Sequence, residues 1–244
     1  MKKIIRIMIL VLFCGVSCLS SSRARAQDES GLSMGIQVMN EPMISDGPTI
    51  AMVFGRLTGK EPDFSGWVER TQEYQAATPF EQGAIEKKRV SELRNTYYTL
   101  DITAPLVVKT QVKLSAYDTT NHGFFISNFT RFTFFPAQYE GKFYAIVPQG
   151  ITDKQFLAIN DATTVGAIEQ AVSNSKDGTL PMVLYLKPVT ASLHPVSIGG
   201  SQYWPIASDI GKMMLFSGDN QTLLWHNDSS DKNKTNQNLL NLYQ

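Results

Sequence analysis

Apolar positions change rhythm twice along this 244-residue chain. From Ile7 to Val16 they are almost continuous, behind a basic start of Lys2, Lys3 and Arg6. Between about 47 and 97 they recur at helical spacing. Asp46-Gly47-Pro48 opens a helix with proline in the first turn, where its missing N–H costs nothing, and Gly59 and Pro62 close it. A second helical stretch runs from Asp63 to about Ala76 on Phe64, Trp67 and Val68. The third covers about 79–96. Thr78 precedes it with Glu81 three residues on, a capping box, and Ile85, Val90, Leu93 and Tyr97 mark its apolar side.

From Tyr98 the period becomes two. Val108, Val112, Leu114 and Ala116 alternate with Lys109, Gln111, Lys113 and Ser115, as a half-buried strand requires. Strands are predicted at Phe124–Ile126, Arg131–Phe135, Lys142–Val147, Gln155–Ile159, Met182–Ala191, Leu193–Ile198, Gln202–Ile206, Lys212–Phe216 and Thr222–Trp225. The Leu193–Ile198 strand is expected to pair with the one before it, and a meander is the simplest order. One helix interrupts them, capped by Asp161, striped by Val165, Ile168, Ala171 and Val172, and closed by Lys176-Asp177-Gly178. The expected architecture is α+β: N-terminal helices, then a mostly antiparallel curled sheet, sandwich or partly open barrel with one inserted helix. Residues 27–46 read as an irregular arm, 47–97 as the helical segment, 98–226 as the β-rich part of a single domain, and 227–244 as a polar tail.

The leading apolar run is too short to span a bilayer, which takes roughly 20 apolar residues. With Ala24-Arg25-Ala26 behind it, it has the three regions of a secretory signal peptide, 1–26, cut after Ala26. The expected location is therefore periplasmic or secreted. Anchoring through a lipidated Cys18 is the alternative, against which stands Gly15 where a large aliphatic residue is usual. Cys14 and Cys18 are the chain's two cysteines, so the 218-residue mature chain would hold none and would depend on its core alone. The leader carries five basic residues and no acidic one. Subtracting them leaves 17 basic against 22 acidic residues, a net charge of −5. Such a domain is not built to track phosphates, and Lys87-Lys88-Arg89, interleaved with Glu86 and Glu92, reads as a solvated helix face.

Motifs that carry chemistry are sparse. Gly31-Leu32-Ser33-Met34-Gly35 has the letters of a nucleophile elbow but too little mature chain before it to build the strand an elbow stands on, so Ser33 is expected to be inert. His122, His194 and His226 lie far apart in sequence and spell no zinc motif. No catalytic residue, cofactor or metal site is assigned. Four glycosylation sequons begin at Asn128, Asn220, Asn227 and Asn233 and are expected to be silent in a bacterial protein. The densest feature is aromatic, from Phe124 to Tyr144. Period two puts Phe132 and Phe134 on one face, expected to be core, and Phe129 and Phe135 on the other, expected to be a partner or ligand surface.

The basic helix Pro79–Arg94, followed by strands carrying Leu114-x-x-Tyr117-Asp118 and Gly123-Phe124, resembles an uncharacterised group of exported Gram-negative proteins that share a domain of unknown function, over roughly residues 75 to 190. The resemblance implies an envelope protein without an assigned activity. The leading functional expectation is a non-enzymatic binding or assembly module of the envelope. Its partner would be another envelope protein or a small apolar ligand, with no nucleic acid and no transmembrane segment after cleavage. A periplasmic hydrolase with a site assembled from distant residues, and a carrier of a small apolar ligand, are the alternatives.

Overall fold

Ile50-Ala51-Met52-Val53-Phe54 has no polar position, so a helix made of it is apolar all round and needs cover on every side. The computed structural model, which describes residues 45–218 and 222–228, supplies that cover: helix α1 (Gly47–Thr58) buries all five side chains. The leader and its cut, both cysteines, Ser33 and the polar tail beyond Asp228 lie outside the described residues. Asp46 caps α1 by accepting from the Thr49 N–H at 2.8 Å, and Gly59 ends it at φ 70°, the left-handed conformation that costs glycine least.

The stretch expected as one helix from 63 to 76 is two, α2 (Phe64–Glu69) and α3 (Gln72–Ala76). Thr71 divides them. Its hydroxyl donates to the Val68 carbonyl and accepts from the Tyr74 N–H, so it closes one helix and caps the next. Helix α4 (Pro79–Thr99) has the expected Thr78/Glu81 capping box. It lies outermost, with only Val90 and Tyr97 buried, and Arg56 ties it to α1 by donating to the Tyr97 and Tyr98 carbonyls.

The β part is a mixed seven-stranded sheet, nearly closed like a barrel but with one unsealed seam. Its path runs β1 (Leu106–Lys113), β6 (Thr179–Ala191), β8 (Ser201–Phe216), β4 (Lys142–Gln149), β3 (Phe135–Tyr139). Strands β7 (Val196–Ile198) and β9 (Leu223–Asp228) both pair with β8. Residues 45–47 link the two end strands. Ser45 N–H donates to the Val107 carbonyl of β1, and Gly47 packs so close to β3 that a Cβ there would stand 2.7 Å from the Gln138 oxygen. One cluster of buried side chains joins α1, α2, α4, the helix α5 (Ala162–Asn174) and the inner face of the sheet.

Four strand expectations are corrected. Arg131–Phe135 is not a strand: residues 130–133 form a turn closed by Thr133 N–H to Thr130 O and Thr130 N–H to Thr133 Oγ1, and β3 begins only at Phe135. Gln202–Ile206 and Lys212–Phe216 are one strand. Its pairing with β6 jumps at Gly211, a bulge that moves the buried set from Ile206, Ser208 and Ile210 to Met213 and Leu215. The strand after β6 pairs not with β6 but with β8, through the Gly199-Gly200 turn, where both glycines have positive φ. The meander gives way to a crossover, because β4 pairs with β8 in parallel, the remaining pairs of the sheet being antiparallel. Asn227 and Asp228, assigned to the tail by sequence, belong to β9.

Candidate functional site

Beside the main sheet stands a two-stranded ribbon, β2 (Gly123–Phe125) with β5 (Phe156–Ala158). Alternation sends Phe124, Ile126 and Leu157 into the core, each at most 1 % exposed, and turns Phe125 and Phe156 outward. These two residues are directly paired across the ribbon and remain 45 % and 39 % exposed. Gly123 makes room for them: a Cβ there would meet the Phe156 ring at 2.5 Å and the Leu157 carbonyl at 2.3 Å. The Phe156 ring thus lies across a bare stretch of backbone.

With Ser115, Ala116, Asp118 and Asn121 the two rings line an open recess of about 670 Å³, within the usual range of ligand sites, ~300–1,000 Å³. Its polar rim is held in place locally. The Asp118 carboxylate accepts from the Thr120 and Asn121 N–H groups at 2.8 and 3.0 Å and from Asn121 Nδ2 at 2.6 Å. The Asn121 side chain, then these N–H groups, hold the carboxyl below its ordinary pKa, so the rim carries a negative charge. Ser115 accepts from the Phe125 N–H at 3.0 Å and donates to the Ala116 carbonyl, which fixes one wall. The recess offers apolar area from rigid rings beside a carboxylate and an amide. It suits an apolar or aromatic group that carries a hydrogen-bond donor or a cation.

A second, smaller cleft of about 150 Å³ lies between α1–α2 and the β3–β4 hairpin. Glu61 accepts from Arg94 Nε and Tyr98 Oη, both at 2.8 Å, and these bonds lower its carboxyl pKa. Arg70 pairs with Glu140 across the cleft mouth. Burial pushes the Tyr144 phenol up to about 12, with Tyr139 adding to it. Tyr144 therefore keeps its proton at neutral pH.

Phe129 and Phe135, expected from sequence on an outward-facing surface, are buried. Phe129 is 3 % and Phe135 6 % exposed, whereas Phe132, expected in the core, is 74 % exposed, with Arg131 stacked over its ring. Phe134 is half-buried on the outer face against Tyr203, 5.5 Å between ring centroids. The physical cause is Asn128. Its amide donates to the Gln111 carbonyl and accepts from the Lys113 N–H, which ends strand geometry and lets the Thr130–Thr133 turn restart the alternation one residue out of phase. Phe125 and Phe156 escaped the sequence reading. Phe124-Phe125 carries the same sequence signal as Phe134-Phe135, two consecutive aromatics, which within a strand point to opposite faces. The three histidines stand apart on the β2 turn, the β6–β7 connection and β9, all exposed. Among the described residues no group of three or more His, Cys, Asp or Glu side chains is gathered to hold a metal ion, and no helix is long and apolar enough to cross a membrane.

No family model, no curated protein and no solved structure matches this chain.

Proposed function

We propose that the protein is an exported, non-enzymatic binding or assembly module of the cell envelope, and that it holds its partner at the β2–β5 ribbon. The observation that carries this reading is the Phe125/Phe156 pair: two large rings, adjacent, exposed and backed by a fixed ribbon. Surface apolar residues normally occur singly, and rigid aromatic anchors in a pocket with a polar rim are the usual energetic centre of a protein interface. The Asp118 carboxylate selects a partner segment that brings a basic or amide group beside its apolar side chain. The basic start, apolar run and Ala24-Arg25-Ala26 of the sequence support export.

Native mass spectrometry of the protein purified from its own envelope fraction tests both parts. A mature chain that begins at Gln27, with a partner subunit that is lost in the Phe125→Ser/Phe156→Ser double variant, is expected. A chain beginning at an acylated Cys18, or a partner unaffected by the double variant, would contradict the reading. A bound lipid in place of a protein would favour the ligand-carrier alternative.

A further inference from the structure

The outer face of the sheet carries a second buried cluster. Val107 of β1, Val183 of β6 and Met214 and Phe216 of β8 are only 3–6 % exposed. Yet every buried apolar side chain of a described helix belongs to the main cluster on the other face, and Tyr185 is the partly buried hydrophobic packed against this one. Lys109, beside Val183 on the same face, has its ammonium buried, with no hydrogen-bond partner among the described residues. A buried ammonium without an acceptor is costly enough that natural structures avoid it. Four apolar side chains and one cation therefore call for a cover that is itself apolar and brings a carboxylate.

The chain outside the described residues ends at this spot. Ser45 accepts from the Val107 N–H through its hydroxyl at 2.9 Å and donates its own N–H to the Val107 carbonyl at 3.1 Å. Seven residues and more upstream within the arm, Leu32, Met34, Ile36 and Val38 alternate with Ser33, Gly35 and Gln37, so an extended run there has one apolar side. Glu41 stands four residues before Ser45, a reach of roughly 13 Å, whereas Lys109 is two strand positions from Val107, about 7 Å.

We propose that residues 27–44 dock on this face. The Leu32–Val38 run covers Val107, Val183, Met214 and Phe216, and Glu41 meets the Lys109 ammonium. The arm then shields the outer edge of β1, which would otherwise invite pairing by another chain. The C-terminal segment 229–244 is the rival cover, with Leu239, Leu240, Leu242 and Tyr243. It leaves β9, which pairs with β8, and carries Asp231 beside Lys232 and Lys234; it is disfavoured because no described bond ties it to Val107, whereas Ser45 is bonded there twice.

Amide hydrogen exchange on the full-length mature chain decides between them. In Ile36→Asp/Val38→Asp, protection at Val107–Thr110 and Met213–Phe216 is expected to fall about tenfold or more while β3 and β4 stay protected. In Leu239→Asp/Leu242→Asp it is expected to hold. Where the double arm variant unfolds throughout, the single substitution Ile36→Ser is read in the same way. Unchanged protection in the arm variants, or loss in the tail variant, overturns the proposal. So does wild-type protection that falls on dilution, since the cover would then belong to a second copy.

Discussion

Phe135 shows how one residue of phase decides what a side chain is for. It pairs with Ile146 on the inner face, and truncating it leaves a hole in a close-packed core. Phe135→Ala is expected to cost roughly 3–5 kcal/mol, and Phe132→Ala to stay within about 0.5 kcal/mol; thermal or urea unfolding of the two variants side by side checks the order. Ser208 makes the opposite case. It is fully buried in β8, and its hydroxyl has no partner among the described residues. Removing an unsatisfied buried hydroxyl relieves a desolvation penalty, so Ser208→Ala is expected to raise stability by about 1 kcal/mol. A loss of stability would show that the hydroxyl has a partner after all.

Among the elements, those whose ends are written in side-chain chemistry were legible. Asp46 and Gly59 bound α1, Thr78 and Glu81 open α4, and Asp161, accepting from the Thr164 N–H, opens α5. These signals act within four residues, so the chain itself contains both partners. The strands are decided elsewhere. β8 reads as two pieces because a bulge at Gly211 breaks its period, and only pairing with β6 makes it continuous. β3 is out of phase because Asn128 answers to Gln111 and Lys113, 17 and 15 residues away. The Phe125/Phe156 site was illegible for the same reason, since it exists only when β2 and β5 pair. That pairing depends on Gly123. Gly123→Ala is expected to push the Phe156 ring out of the recess and to destabilise the ribbon, read as a changed Phe156 ring environment by NMR and faster amide exchange at residues 123–125. An undisturbed ring would mean that the close packing at Gly123 is not required.

At the scale of the whole molecule, the inner face of the curled sheet packs against the apolar helix α1, and the β2–β5 ribbon turns two rings outward. The inside is a packed core, so alkaline pH should loosen it through a buried phenol. Tyr144 has its pKa raised from 10.0 to about 12 by burial. Between those values the unfolded chain has released a proton that the folded one keeps. Tyr144's contribution is therefore complete below about pH 10 and is lost as pH rises toward 12. Tyr144→Phe is expected to flatten the fall in stability over that window, whereas an unchanged profile would assign the fall to other groups. The helical half and the α+β class follow from local pattern, whereas the crossover that makes β4 and β8 parallel has no local signal at all. The central claim, a module that binds through the Phe125/Phe156 recess, is tested most directly by placing a photo-reactive phenylalanine analogue at Phe156 in the protein expressed in its own cells. Irradiation should yield one discrete cross-linked envelope partner, absent when the analogue sits at buried Phe135 and lost with Phe125→Ser. No cross-link at Phe156, or the same product from both positions, would contradict the account.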